Sequence, residues 1–448
     1  MPIPCTLLEK DQEFLFADIL KYFHILNYKS MDNKKLIAFR SLIIAAGATV
    51  AASFVGVYGV MIGATAAEMG WLQSSSNSLS NLGQILWGRI SDRVGKRKPF
   101  LVSGSVILAV LWFMLPYSRT PVNLIVLYSL ISIFSAMITV NWYSFIADNI
   151  ISERGRFLTL INDIASAGTI VSLIAMVFIL AKYPDDVVIP FSTAAASYVI
   201  SAVTVFKFQE SRSKSLMTRN LYKTLKNLKN NNAFYKYFRA TNIQSFFWSM
   251  AWPMFPITIV SIMHFSLEIV AVLTISSTLT MLITQYIIGK FIDKVNRVPI
   301  IFLNRIMLSG IPLMYAFFNI LPLFILLEIY SGFIGSIQNT VTTSYTLDIV
   351  PQNNKAEYIS ILNGFNGMVY FFGALTGGYV LTLFLSIEPL KIALLLSYLI
   401  VFAGRFLSSF LFRGLIEENS GGRNNSVLSI LFKPKGAGSP SGAVIHPR

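Results

Sequence analysis

The sequence predicts an all-α membrane protein with twelve transmembrane helices in two pseudo-symmetric six-helix bundles. Hydrophobic residues make up 54% of the 448 residues and charged residues only 13%, which leaves too little polar surface for a soluble globule. Apolar runs of about twenty residues, the length that crosses a bilayer as a helix, recur along the chain. The first and second halves of the sequence also repeat one another, which predicts two similar bundles.

Twelve apolar segments bounded by charged or turn residues define the predicted helices. Strands are not expected, because an open sheet edge has no hydrogen-bond partner in hydrocarbon. The predicted spans of the first bundle are 38–65, 71–91, 99–118, 121–146, 157–181 and 187–207. Those of the second bundle are 240–264, 268–289, 299–319, 321–347, 358–385 and 390–412.

These spans divide the chain into five regions. We expect an N-terminal segment (1–35) with a surface helix, a first bundle (36–207), a connector (208–239), a second bundle (240–413) and a largely disordered tail (414–448). The connector is polar and basic, as is typical of a loop at the cytoplasmic face of the membrane. A signal peptide is not expected, because the charged sequence EKDQE precedes any apolar run.

The 36 Lys and Arg residues lie mostly on one side of the predicted membrane. With the N-terminus in the cytoplasm, the outer loops hold only Arg119, Lys182 and Lys391. Basic loops are retained on the cytoplasmic side, so both termini are expected there, in an integral protein of the plasma membrane. The net charge of +15 has the same origin, since no basic stretch resembles a nucleic-acid-binding module.

Composition and motifs also argue against a cofactor or a catalytic centre. One cysteine and three scattered histidines do not suit a metal cluster. The chain lacks the G-x-x-x-x-G-K-[ST] motif that binds nucleotide phosphates, and it has no cluster of catalytic groups at a membrane face. We therefore expect no enzyme, cofactor, metal, nucleotide or nucleic acid, and a monomer whose surroundings are the lipid bilayer.

The internal repeat is clearest in two places. Aligning Gly88 with Gly289 also places Gln84 on Gln285 and Asp92 on Asp293, and 146–162 aligns with 346–363. Internal duplication in a membrane chain is typical of carriers in which two copies rock about a site at the middle of the membrane.

The segment GRISDRVGKRK, residues 88–98, is the most distinctive motif. It resembles the loop 2–3 signature of the major facilitator superfamily, usually written G-x-L-x-D-R-x-G-R-K, with Ile90 in place of leucine. The matching residues are Gly88, Asp92, Arg93, Gly95, Lys96 and Arg97. The resemblance implies alternating access and a cavity lined by helices 1, 4, 7 and 10. The fourth span lacks the R-x-x-x-G pattern and the fifth lacks the Gly-Pro pair of the family's proton-linked drug antiporters, which argues against that activity.

The charged residues of the repeat are expected to form a gate. A carboxylate is favoured near a helix N-terminus, so we expect Asp92 to address the start of helix 11 and Asp293 the start of helix 5. Asp148 and Asp348 are repeat mates, expected to pair with Arg93 or Arg97 and with Lys294 or Arg297 respectively. Gly88 is expected to allow close approach of helices 2 and 11, and Gly95 a tight turn. The alternative is that these charges only set orientation.

Polar and aromatic residues at helical spacing mark the expected substrate cavity. Helix 4 carries Tyr128, Ser132, Ser135, Thr139 and Trp142, and helix 10 carries Glu328, Ser331, Gly335, Gln338, Thr342 and Tyr345. Helix 7 adds Gln244, Trp248 and Trp252, followed by Pro253 and Pro256, which should bend or break it. The best cavity candidates are Tyr128, Ser135, Trp142, Trp248, Trp252, Gln338 and Thr342. The alternative for each small residue is tight helix packing.

Four ionisable residues lie well inside predicted spans rather than within two residues of their ends. Glu328 and Asp163 are candidates for ion coupling, because a carboxyl group in apolar surroundings must be protonated or paired. An outer-face, solvated Glu328 is the alternative. Arg305 and Arg405 are expected to be structural, with side chains long enough to reach the membrane interface.

These observations favour a secondary active transporter of a small organic solute, coupled to a proton or other ion gradient. Two alternatives stay open. One is a non-transporting receptor or sensor on a carrier scaffold, and the other is a uniporter or exporter of amphiphilic compounds. Fold constrains the solute only weakly.

Overall fold

The computed structural model describes residues 33–149, 154–208, 210, 228–290, 292, 295–351 and 355–417. Twelve long helices account for most of these residues. The first six are α1 (Asn33–Met61), α2 (Ala66–Val94), α3 (Lys98–Tyr117), α4 (Pro121–Asn149), α5 (Arg154–Lys182) and α6 (Val188–Phe206). The second six are α7 (Asn232–Ile262), α8 (Leu267–Gly289), α9 (Arg297–Phe317), α10 (Leu321–Asp348), α11 (Lys355–Leu385) and α12 (Leu390–Gly414). The expected N-terminal surface helix and most of the tail lie outside the described residues.

Helices α1–α6 form an N-terminal bundle and α7–α12 a C-terminal bundle, as the sequence predicts. Successive helices run in opposite directions, so the chain alternates between two ends of the molecule. We call the end that carries residues 88–98, the start of α1 and the end of α12 the basic end, and the other the opposite end. This alternation places repeat mates at the same depth in the two bundles.

Eleven of the twelve helices in the described residues are long and apolar enough to cross a membrane by composition, and α2 is the exception. It is rich in Ser and Asn, and several of these side chains bond within the protein. Ser74 Oγ donates to Phe371 O at 2.9 Å, and Ser78 Oγ donates to Gly367 O at 2.6 Å, both on α11. The polarity of α2 therefore serves its packing against α11.

The α2–α11 contact is closest toward the opposite end. A Cβ atom at Gly378 would lie 2.6 Å from Ala66 O and 2.9 Å from Gly70 Cα. Two facing glycines thus allow the backbones to touch, as small residues do in membrane helix pairs. Nearby, α1 meets α7, where a Cβ at Gly56 would lie 2.9 Å from Pro256 Cγ. The two bundles are therefore held together at the opposite end.

Helix α7 begins at Asn232, earlier than the predicted start near residue 240. The Asn231 side chain accepts a hydrogen bond from Phe234 N at 3.0 Å, which caps the helix. Phe234 packs edge-on against Tyr358, with ring centroids 4.7 Å apart. Phe238 also packs edge-on against Phe365 of α11, and Tyr237 against Tyr345 of α10, so this stretch is part of the bundle rather than of the connector.

The predicted break of α7 is confirmed. Its regular part ends at Met250, and a turn precedes the short segment Met254–Ile257. Pro253 cannot continue the helix, and in the turn before it the Trp252 N–H bonds Ser249 O instead of Trp248 O, so carbonyls of the last helical turn lack their usual donors. Arg405 of α12 replaces them, donating to Phe247 O at 3.2 Å and to Trp248 O at 2.7 Å. Arg405 is structural, as expected, but it is fully buried and does not reach the interface.

Three helices contain a π-helical turn that the sequence patterns do not predict. These turns are Ala45–Thr49 in α1, Thr258–Ile262 in α7 and Gln338–Thr342 in α10. Such turns often mark functional sites, because the extra residue widens the helix and re-aims side chains. The π turn of α10 contains two of the predicted cavity residues.

Candidate functional site

The C-terminal bundle contains a polar cavity of about 350 Å³. It reaches the basic end, where the lining residue Leu347 is exposed. The lining residues from α7 and α9 are Tyr237, Thr241, Gln244, Ser245, Trp248 and Arg305. Those from α10 and α11 are Gln338, Thr342, Thr343, Thr346, Leu347, Ile359, Leu362, Asn363, Asn366 and Tyr370. Amides, hydroxyls and aromatic rings dominate this wall, which suits a small polar solute.

Arg305 supplies the only charged side chain among these lining residues. It is 2% exposed, and its Nε and Nη2 atoms have no hydrogen-bond partner. The guanidinium lies over the Phe412 ring, 5.0 Å from the centroid. The expectation that Arg305 reaches the membrane interface is wrong, because its head group is buried at the cavity.

Gln244 is a second buried polar side chain at the cavity without a partner. It is 1% exposed, and neither Nε2 nor Oε1 is hydrogen-bonded. On the facing wall, Thr342 Oγ1 lies 3.5 Å from Gln338 Oε1 within the π turn of α10. Unsatisfied buried amides are costly, so their natural role is to bond a solute or ordered water.

The corresponding region of the N-terminal bundle is filled by aromatic side chains. Trp142, the repeat mate of Thr342, stacks on Phe145 and Phe208 with centroids 6.2 and 6.0 Å away. The Arg40 guanidinium lies 4.0 Å from the centroid of the Trp142 ring and donates from Nε to Ser201 Oγ at 2.8 Å. Helix α4 places its tryptophan where α10 leaves open space.

The predicted cavity residues therefore divide between the bundles. Trp248, Gln338 and Thr342 line the C-terminal cavity. Trp252 packs beside it, 5.0 Å from the ring of the lining residue Tyr370. Tyr128 lies edge-on to Trp112 in the N-terminal bundle. Of the two cavities described here, neither is lined by Tyr128, Ser135 or Trp142.

Glu328 lines a separate cavity of about 190 Å³ between the two bundles. It accepts a hydrogen bond from Tyr315 Oη at 3.3 Å. The opposite wall of this cavity comes from α1 and α2, through Ser53 and Gln73 among others. Glu328 is partly buried at this interface rather than on a solvated outer face. Asp163, the other coupling candidate, is exposed on α5 and lines neither cavity.

The motif at residues 88–98 forms a network around Arg97, which is 6% exposed. Arg97 Nη2 lies 2.6 Å from Asp92 Oδ1, Nη1 donates to Ser91 Oγ at 2.7 Å, and Nε is 3.9 Å from Asp148 Oδ2. Gly95 adopts a left-handed φ of 70° and closes α2, as the tight turn requires. Arg93 and Lys96 are exposed.

The second copy of the motif repeats part of this arrangement. Arg297 is buried, and its Nη1 bonds Asp348 Oδ2. Asp293 and Lys294 lie outside the described residues. A Cβ at Gly289 would meet no atom within 4 Å, and one at Gly88 would meet Val140 of α4 at 3.4 Å. Gly88 therefore contacts α4 and not α11 in this structure, and the close approach of α2 and α11 lies at Gly70 and Gly378.

Two carboxylates at this end escaped the sequence interpretation. Glu210 accepts from the backbone N–H groups of Arg97 and Lys98, and Glu417 accepts from those of Arg297 and Val298 at 2.8 Å. Each caps the start of a helix, where free N–H groups favour negative charge. Each glutamate follows the last helix of its bundle. An alignment of the two halves that allowed a shift at this point could have paired them.

A match to a family model identifies the family to which the chain belongs. The model described as Major Facilitator Superfamily matches residues 37–241 and again residues 237–433, so each bundle is covered. The chain belongs to the Major Facilitator Superfamily. It is a transporter rather than an enzyme, embedded in lipid and acting on a small-molecule substrate.

Solved structures of superfamily transporters have the same fold. A mutant of the nucleoside transporter NupG has a TM-score of 0.70 at 14% identity, covering 86% of this chain and 100% of that one. The D-xylose-proton symporter gives 0.65 at 14% identity, covering 86% and 97%. A bacterial homolog to the human lysosomal transporter Spinster gives 0.62 at 12% identity, covering 88% and 100%. No curated protein matches the chain in sequence.

Superfamily membership supports secondary active transport, which draws on an ion or solute gradient. The described residues contain no group of three or more His, Cys, Asp or Glu that could hold a metal ion.

Proposed function

We propose that the protein carries a small polar organic solute, which binds in the cavity of the C-terminal bundle and is exposed alternately to the two sides. The observation that carries this proposal is the 350 Å³ cavity lined by amides, hydroxyls and aromatic rings. Its volume is at the low end of the roughly 300–1,000 Å³ range of small-molecule sites.

The structure corresponds to an inward-open state in this proposal. We propose that the basic end and both termini face the cytoplasm, because Lys and Arg are retained on that side, and that the membrane is the plasma membrane. The cavity reaches that end, while the glycine contacts of α2 with α11 close the opposite end. Asp92 is half-exposed and paired with Arg97. In this proposal its carboxylate contacts the start of α11 when the bundles rock together.

Glu328 is the proposed coupling site. It lies between the bundles, so the motion that closes one end and opens the other changes its exposure. Its neighbours are mostly apolar, including Phe255 and Leu273, which favours the protonated form of a carboxyl group. The fold is shared with a proton symporter of D-xylose, in keeping with proton coupling here. We also propose that the carrier works as a monomer, without nucleotide or nucleic acid.

Counterflow tests this proposal. Protein in liposomes preloaded with an unlabelled polar solute should accumulate the same labelled solute, across a panel of sugars, polyols, nucleosides and hydroxy acids. Thr342→Trp should lower counterflow at least tenfold, because it copies Trp142 into the cavity. Ile329→Trp is the matched control, since Ile329 is on α10 but 40% exposed and away from the cavity. Full counterflow in Thr342→Trp would overturn the site assignment, and binding without counterflow would indicate a sensor.

Proton coupling has its own test. Glu328→Gln should retain counterflow but no longer respond to an imposed pH gradient. Glu68→Gln is the control, since Glu68 is an exposed cap of α2. Accumulation by Glu328→Gln that follows the pH gradient as in the wild type would exclude this residue from coupling.

A further inference from the structure

The charge of the C-terminal cavity is unbalanced. Its lining residues include one cation, Arg305, and no carboxylate. Two other buried arginines have partners: Arg405 donates to three backbone carbonyls, and Arg297 bonds Asp348. Arg305 alone among these three has no hydrogen bond or ion pair in the described residues, and its Nε and Nη2 are buried.

A buried guanidinium is strongly disfavoured unless an anion or several acceptors accompany it. The stacking contact with Phe412 covers one face but provides no acceptor for the N–H groups. The nearby polar groups of Gln244 also lack partners. Such a site is unfavourable when empty and becomes favourable when an acceptor enters it.

We propose that the cavity recognises a polar solute carrying a single carboxylate, which Arg305 binds through its planar fork of N–H donors. This rests on the proposed function, since it assigns a substrate class to the same site. Guanidinium geometry matches a carboxylate with two parallel hydrogen bonds. A phosphate ester with two negative charges fits less well, because the lining offers only one positive charge.

The remaining lining specifies the rest of the solute. Gln244 offers both a donor and an acceptor, and Asn363 and Asn366 add two more amides. Hydroxyl groups can satisfy amides in both directions. A hydroxylated monocarboxylic acid of modest size meets these requirements, and a plain fatty acid does not.

Matched pairs of probes test this class. Gluconate and sorbitol, and lactate and propane-1,2-diol, differ mainly in the carboxylate. Binding is measured by the thermal stability of the purified protein in detergent and by counterflow in liposomes. Wild-type protein should prefer each acid over its neutral partner by at least about tenfold, and glucose 6-phosphate should bind more weakly than gluconate.

The variants separate recognition from structure. Arg305→Gln should lose the preference for the acid while keeping affinity for the neutral partner, and Arg305→Lys should retain part of the preference. Arg119→Gln, at an exposed loop position, is the control and should behave as wild type. A purely structural Arg305 would instead lower stability and weaken both members of a pair equally. If Arg305→Gln does not fold, the comparison of wild type with Arg305→Lys still measures the preference.

The outcomes distinguish this proposal from the one it rests on. Equal or tighter binding of sorbitol by wild-type protein, or a preference for gluconate that survives in Arg305→Gln, would overturn the carboxylate assignment and leave a neutral-solute carrier. Absence of binding by every probe would contradict both the cavity assignment and the carboxylate. The predicted result is an acid preference that disappears with Arg305.

Discussion

The N-terminal and C-terminal bundles have the same order of helices but use the same repeat position in opposite ways. In α4, Trp142 fills the space beside the helix and stacks on Phe145, Phe208 and Arg40. In α10, Thr342 at the matching position lines an open cavity and sits in a π turn. One bundle has a packed aromatic cluster where the other has a polar cavity.

This difference shows how a duplicated carrier can separate two tasks. The N-terminal bundle gains buried aromatic contacts, which stabilise it as a rigid wall. The C-terminal bundle gives up those contacts, and its polar groups such as Gln244 and Arg305 are left without protein partners. Duplication retains the Arg–Asp contacts of both halves, while packing is lost at the proposed solute site.

The largest expected effect comes from breaking the aromatic cluster. Trp142→Thr copies the C-terminal residue into the N-terminal bundle, removes two ring contacts and leaves Arg40 uncovered. Trp142 is partly buried, so its loss should cost less than the roughly 3–5 kcal/mol of folding stability expected for a fully buried tryptophan. The midpoint of thermal unfolding in detergent should fall sharply, whereas Thr342→Ala should change it little. Similar midpoints for the two variants would contradict the comparison.

A second prediction compares two buried arginines within the C-terminal bundle. Arg405→Met leaves the carbonyls of Phe247, Trp248 and Leu308 without their donors and should cost at least about 2 kcal/mol. Arg305→Met removes a cation without protein hydrogen bonds and should leave stability unchanged or higher. Thermal unfolding of both variants measures this difference. Greater destabilisation by Arg305→Met would mean that Arg305 is structural.

The gate residues should show a smaller contrast between the bundles. Arg297 bonds Asp348 directly, whereas the Arg97 Nε to Asp148 distance is 3.9 Å and Arg97 also holds Asp92. Asp348→Asn should therefore destabilise the protein more than Asp148→Asn, by about 1–2 kcal/mol against less than about 1 kcal/mol. Chemical denaturation measures the free energy of unfolding of both variants. A greater loss in Asp148→Asn would show that the network around Arg97 contributes more stability than the Arg297–Asp348 pair.

The smallest effects are expected at the helix caps. Glu210→Gln and Glu417→Gln keep an acceptor at the N-termini of α3 and α9 but remove its charge. Each should cost about 0.3–1 kcal/mol, with the loss reduced by added salt. If salt changes the stability loss equally in both variants, the two caps are equivalent. A loss that salt does not change would show that the negative charge of the glutamates does not contribute to stability.

Much of the fold follows from the sequence because hydrocarbon imposes simple rules. Length, hydropathy and the duplication predict all twelve helices, although α2 is polar rather than the apolar span expected from the sequence. The break in α7 follows from Pro253. The early start of α7 does not, since the buried partners of Phe234 and Tyr237 come from distant helices.

The candidate site is only partly predictable. Helical spacing selects the faces of α7 and α10 that carry Trp248, Gln338 and Thr342, which line the cavity, but it also selects the matching face of α4. Periodicity shows which residues share a face and not which side chains fill the space beyond it. The sequence patterns also miss the proposed role of Arg305, because the absence of a hydrogen-bond partner depends on which residues surround it in the fold.

The central claim, that solute binds beside α10 and not beside α4, is tested most directly by cysteine protection. Thr343 lines the cavity, and its repeat mate Tyr143 is 56% exposed in the N-terminal bundle. Thr343→Cys and Tyr143→Cys, each in a Cys5→Ser background, are labelled with a maleimide with and without a solute that shows counterflow. The account predicts that solute slows labelling several-fold at position 343 and leaves the rate at position 143 unchanged. Protection at position 143 without protection at position 343 would contradict it.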